Sequence, residues 1–109
     1  MAAGNKKKMT KSESMRFLEG LIGRQLTFGG HLSAIRKGED MTLDAFAKQL
    51  EISRQHLCDI EKGRRMVSLE RAAKWARLLG YSETLFVRLA LQDMIEQAGL
   101  NMKVSIDAA

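Results

Sequence analysis

Six apolar residues, set at helical spacing and interrupted once, restrict what residues 41–68 can become. Leu43, Phe46, Ala47 and Leu50 share one helical face, the pattern breaks at Glu51-Ile52-Ser53, and Leu57 and Ile60 resume it. This spacing predicts two short helices joined by a tight turn and sharing one small core. Thr42 and Ser53 stand where a hydroxyl accepts a backbone N–H at a helix start, and Gly63 stands where a left-handed residue ends the second helix. Off the core face lie Arg54, Gln55, His56, Cys58, Asp59 and Lys62, with Arg64 and Arg65 just beyond. Such a surface suits a nucleic acid better than a metabolite.

These residues carry a family resemblance. The stretch resembles the helix-turn-helix of the lambda-repressor-like (Xre or Cro type) DNA-binding domains through Thr42, Ala47, Ser53 and Ile60-Glu61-Lys62-Gly63. The likeness runs from about residue 28 to about residue 85. It implies an all-α, five-helix DNA-binding fold in which the second helix of the motif is the recognition helix. It also implies that Arg36 pairs with Glu61, a structural ion pair locking that helix to the scaffold rather than a DNA contact. Two positions depart from the family pattern. Leu43 stands where many members carry a Gln that helps fix the phosphate backbone and the first base-reading side chain, and Val67 replaces a frequent Pro.

Composition narrows the class. At 109 residues, 45% of them hydrophobic, the chain has room for one compact domain with short extensions. Its 18 Lys and Arg against 13 Asp and Glu give a net charge of +5. The resulting pI near 9.7 favours a polyanionic partner. A single Cys rules out an internal disulfide and fits a reducing compartment. No apolar run approaches the roughly 20 residues that cross a bilayer, and the polar N-terminus lacks the apolar segment of a signal peptide, so the expected location is the cytoplasm. With no Pro and nine Gly, helix breaks fall to glycine, as at Gly38, Gly63, Gly80 and Gly99.

Read in order, the chain divides into four parts. Residues 1–9, with Lys6-Lys7-Lys8, form a disordered basic arm, either a solvated tail or a phosphate-contacting one. Residues 10–26 form an N-terminal extension helix. It opens on the capping-box spacing Thr10-Lys11-Ser12-Glu13, runs through Phe17, Leu18, Leu21 and Ile22, and is weakened by Gly20 and Gly23. Residues 27–98 hold the helix-turn-helix domain, starting with a helix marked by Phe28, Leu32 and Ile35. Ser68 caps a helix whose core stripe is Leu69, Ala72, Ala73, Ala76 and Leu79, with Trp75 off that stripe as a core, edge or subunit-contact residue. Ser82 opens a longer helix whose apolar residues, including Leu85, Phe86, Val87, Leu89, Ala90, Leu91, Met94 and Ile95, cover more than one face, as a dimer interface would. Residues 99–109 then switch period. Leu100, Met102, Val104 and Ile106 alternate with Asn101, Lys103, Ser105 and Asp107, predicting a short C-terminal β-strand. Alone in its chain, that strand pairs with its copy in a second subunit or with a partner protein, or else it is a frayed tail with chance alternation.

The chemistry expected of the motif follows from groove geometry. A recognition helix presents its first turn to base edges, so Arg54, Gln55 and His56 are the leading readers, with Asp59 one turn on as a less comfortable one. Arg bridges guanine O6 and N7, and Gln bridges adenine N6 and N7. Thr42, Lys48, Ser53, Lys62, Arg64 and Arg65 are the candidates for the phosphate contacts that dominate such interfaces. Dimerisation is expected of Phe86, Leu89, Ala90 and Met94 on the last helix and of Leu100, Met102, Val104 and Ile106 after it. His56 and Cys58, two residues apart, sit about 200° apart on a helix and cannot chelate one zinc ion. Cys58 reads as a small residue beside the core rather than a redox thiol. No Gly-rich phosphate loop, paired carboxylates or nucleophile-base arrangement stands in the sequence, so no cofactor, small-molecule ligand or enzymatic activity is expected.

Three functions fit these features. The first is a dimeric, autoregulatory transcriptional repressor reading an inverted repeat of double-stranded DNA through the major groove. The second is an antitoxin, in which the same domain represses its own operon while the N-terminal helix or C-terminal strand clamps a toxin protein. The third is a protein-interaction adaptor that has lost DNA binding.

Overall fold

The computed structural model of the protein describes residues 27–107. Among them five α-helices follow in order: α1 (Phe28–Gly38), α2 (Leu43–Leu50), α3 (Arg54–Glu61), α4 (Leu69–Leu79) and α5 (Glu83–Gln97). The expected basic arm (1–9) and N-terminal helix (10–26) lie outside the described residues.

Every one of these helices starts on a hydroxyl. Thr27, Thr42, Ser53, Ser68 and Ser82 accept the N–H of Gly30, Ala45, His56, Arg71 and Leu85 at 3.0, 3.1, 3.0, 3.2 and 3.2 Å. Each bond satisfies one of the amide groups that the first helical turn leaves without an intrahelical acceptor. The chain turns out of α4 at Gly80, whose φ of 80° carries no side-chain penalty.

Amphipathic pairing then builds one core. α4 packs on α5, α2 on α3, and α1 lies across both α3 and α5. Leu32, Phe46, Leu57, Ala72, Trp75 and Phe86 are sealed at its centre. Phe28 joins the two halves, with its ring 6.4 Å from Trp75 and 5.5 Å, edge-on, from Phe86. Trp75 belongs to the core and not to a subunit contact. Its indole N–H donates to the carbonyl of Leu50 at 3.2 Å, supplying a partner for both a buried donor and an end-of-helix acceptor. Val67, in the place of the family Pro, is also buried.

Two expectations about the C-terminal region are corrected. Phe86, Leu89 and Ala90 are buried within this chain, so they cannot face a second copy. The domain's own core uses that face of α5, since α1 and α4 have apolar stripes to cover. Among the described residues there is also no β-strand. Residues 101–107 have no regular secondary structure, and the side-chain amide of Gln92 engages them. Gln92 donates to the carbonyl of Met102 and accepts from the N–H of Val104, both at 2.8 Å. A segment with no strand beside it among the described residues thus satisfies part of its backbone on a side chain. Leu100 and Met102 remain 48% and 60% exposed.

Candidate nucleic-acid interface

The site is α3 with the turn that leads into it and the loop that leaves it. α2 ends at Glu51 in a left-handed conformation, φ 64°, and the Ile52 N–H reaches back to the carbonyl of Ala47 at 3.0 Å. This 6→1 closure, like that of a Schellman motif, reverses the chain within two residues, and Ser53 then caps α3. Leu57 and Ile60 are buried, which fixes the rotation of α3 about its axis. Arg54 and Gln55, in the first turn, are consequently exposed, with His56, Cys58 and Asp59 half-buried at the flanks.

Two features fix the far end of α3 against the scaffold. The Arg36 guanidinium donates two bonds to the Glu61 carboxylate, at 2.9 and 3.1 Å, and a third to the carbonyl of Met41 at 3.0 Å. The side chains are only 15% and 8% exposed, and the bond to Glu61 raises the already high pKa of Arg36. Beside this pair, a methyl group at Gly29 would overlap the carbonyl oxygen of Ile60, so α1 meets the end of α3 backbone to backbone.

The polar side chains of the interface are already organised among themselves. Asp59 Oδ1 accepts from Gln55 Nε2 at 3.1 Å and from Arg64 Nε and Nη2 at 3.1 and 2.9 Å. Arg64 reaches it because Gly63, at φ 78°, turns the chain back, and the Arg64 N–H bonds to the Asp59 carbonyl at 2.8 Å. The Arg64 hydrogen bond holds the Asp59 carboxyl below the usual carboxylate range, with Gln55 adding to the effect. Oδ1 of Asp59, a residue expected to read bases, is thus shared within the chain by Gln55 and Arg64. Partial burial, followed by the charges of Arg65 and Arg71, lowers the pKa of His56 and favours a neutral imidazole at pH 7. Arg54 makes a loose, exposed contact with Asp44 at 3.6 Å. The hydroxyl oxygens of Thr42 and Ser53 serve as caps, which leaves their O–H groups to donate outward. Lys48, Lys62 and Arg65 are exposed around the rim.

Sequence reasoning missed Arg71. It lies on the first turn of α4, its guanidinium 5.6 Å from the centre of the Trp75 ring, and adds its charge next to His56. Its position three residues after the capping Ser68 was the available signal. Among the described residues no group of three or more His, Cys, Asp or Glu is placed to hold a metal ion. No helix there is long and apolar enough to cross a membrane.

A five-helix all-α unit whose third helix is anchored by Leu57 and Ile60 and turns a polar first turn outward is a helix-turn-helix DNA-binding domain. A family model described as helix-turn-helix matches residues 32–86, half of the chain. The chain belongs to this lambda-repressor-like family of DNA-binding transcription regulators. No curated protein and no solved structure matches it.

Proposed function

We propose that this protein is a dimeric, autoregulatory transcriptional repressor that reads an inverted repeat of double-stranded DNA. Arg54, Gln55 and His56 address base edges in the major groove. Lys48, Lys62, Arg64 and Arg65, with the hydroxyls of Thr42 and Ser53, hold the phosphates. Met94, Leu100, Met102, Val104 and Ile106 form the contact with the second subunit. The observation that carries the reading is the division of α3 into a buried face and a polar, exposed first turn flanked by basic side chains. The +5 charge of the chain supports a polyanionic partner. The exposed Leu100 and Met102 support a protein partner, a second copy first and, as the alternative, a toxin that the same tail would clamp.

The test is selection of bound sequences from a random DNA pool, with solution mass measured alongside. The expected result is an inverted repeat with half-sites one helical turn apart, roughly 34 Å, or a multiple of that. The mass should be that of two chains, and log affinity should fall with log salt by about 0.9 per phosphate neutralised. Arg54→Ala combined with Gln55→Ala should abolish retention of the selected site. Salt-independent binding, or a pool that emerges unenriched, overturns the reading. A stoichiometric complex with the product of an adjacent reading frame, covering Leu100 and Met102, would favour the antitoxin alternative.

A further inference from the structure

The Gln55–Asp59–Arg64 cluster is more specific than contact with DNA phosphates requires. A Gln amide offers an acceptor and two N–H groups, and an exposed one turns about its last torsion with roughly two-fold freedom. Turned one way it presents oxygen then N–H along the groove, and turned the other way the reverse. The two orders match different base-edge patterns, because adenine offers an N7 acceptor beside an N6 donor. The bond from Gln55 Nε2 to Asp59 Oδ1, at 3.1 Å, selects one orientation before DNA arrives. It occupies one of the two N–H groups and leaves the other, together with Oε1, for a base edge. Arg64 is treated similarly. Nε and Nη2 each place one N–H on the same carboxylate oxygen, so its remaining N–H groups point from a fixed frame. The carboxylate in turn has its charge countered next to the phosphates it would otherwise repel.

We propose that Asp59 is a positioning residue of this interface: it reads no base, but sets the amide orientation with which Gln55 reads one and the guanidinium from which Arg64 holds the backbone. This inference rests on the DNA-binding reading above and names a determinant of its specificity. Two functions of one carboxylate separate under substitution. Asp59→Ala removes both acceptor and charge, whereas Asp59→Asn removes the charge and retains an acceptor oxygen for Gln55.

The experiment selects DNA from a random pool with the full chain as wild type, Gln55→Ala, Asp59→Ala and Asp59→Asn, and follows affinity against salt for each. Gln55→Ala identifies the base pair that Gln55 faces, as the position whose preference is lost. At that position Asp59→Ala is expected to lose about tenfold in discrimination, the lower part of what a bidentate pair supplies. Asp59→Asn should stay within about twofold of wild type there. Asp59→Ala should also bind unselected DNA less tightly, with a salt slope shallower by up to about one phosphate equivalent, because Arg64 loses the frame from which it holds the backbone. The proposal is overturned if Asp59→Ala keeps the Gln55-dependent preference, or if it erases preference at a different base pair, the mark of a direct reader. A wild-type chain that selects no sequence removes the functional reading itself. Loss of the Gln55-dependent position in Asp59→Ala alone, with wild type selecting normally, supports the inference.

Discussion

Removing the carboxylate of Glu61 is the most demanding test of how α3 is held. Glu61→Ala strands the Arg36 guanidinium, whose side chain is 15% exposed, with one bond to the Met41 carbonyl at 3.0 Å in place of three. Breaking a buried pair from one side costs about 3–5 kcal/mol. Residual solvent access and the surviving bond to Met41 place this case at the lower end, about 3 kcal/mol. A ΔΔG of 1 kcal/mol moves the melting temperature of a domain this size by about 4–8 °C, so the expected loss lies between roughly 10 and 25 °C. Thermal unfolding followed by far-UV circular dichroism reads it directly. Arg36→Met with Glu61→Leu removes the stranded charge as well, so the double variant should recover most of the loss. The cycle of the two single variants and the double should therefore give a coupling of at least about 2 kcal/mol. A shift below about 4 °C for Glu61→Ala, under 1 kcal/mol, would refute the assignment of this pair as the lock on the recognition helix.

Gly29→Ala should be costly although it adds one methyl group, because the obstacle is the Ile60 carbonyl, backbone that cannot rotate away. The expected loss is at the upper end of overpacking costs, about 3 kcal/mol by urea denaturation, and a neutral substitution would show that α1 moves freely over α3. Asp93, which accepts the Phe28 N–H at 3.1 Å, has its carboxyl pushed up by burial, with the charge of Glu96 adding to the shift. The folded state thus binds this proton more tightly than the unfolded one. Stability associated with the group is present at low pH and declines as pH rises through the window between the ordinary carboxylate value and the raised one. Asp93→Asn keeps an acceptor for Phe28 and should gain on wild type as pH goes from 4 to 7. Equal stability differences at the two pH values would contradict this sign.

Much of the scaffold was legible because it depends on local chemistry. The stops at Gly63 and Gly80 and the hydroxyl starts at Thr42, Ser53, Ser68 and Ser82 sit where spacing placed them. The faces of α5 were harder to assign. Phe86, Leu89 and Ala90 have the i, i+3, i+4 spacing of one buried face, but periodicity does not say whether the cover comes from the same chain or another. Here α1 supplies part of it, through Phe28 and His31, whose rings lie 5.5 and 5.6 Å from Phe86. The tail misled for the same reason in the other direction: alternation at 100–106 describes which side chains can share a face, while a strand requires a neighbour. Trp75 lay off the inferred stripe and was open to a core, edge or subunit-contact role; the core reading holds, since the buried face of α4 is Ala72, Trp75 and Ala76. At the interface, the spacing of Gln55 and Asp59 one turn apart already allowed their bond. The third member, Arg64, comes back only through the left-handed turn at Gly63, a geometry that no spacing rule delivers.

The amide of Gln92 bears on which side of the tail's backbone a pairing strand could approach. By taking the carbonyl of Met102 and the N–H of Val104, it occupies one side of the tail from within. In extended backbone those two groups flank Lys103 on a common side, and the peptide groups of Lys103 itself point the opposite way. With the Met102 carbonyl and the Val104 N–H held by Gln92, an added strand could pair with the tail around Lys103 only from the opposite side.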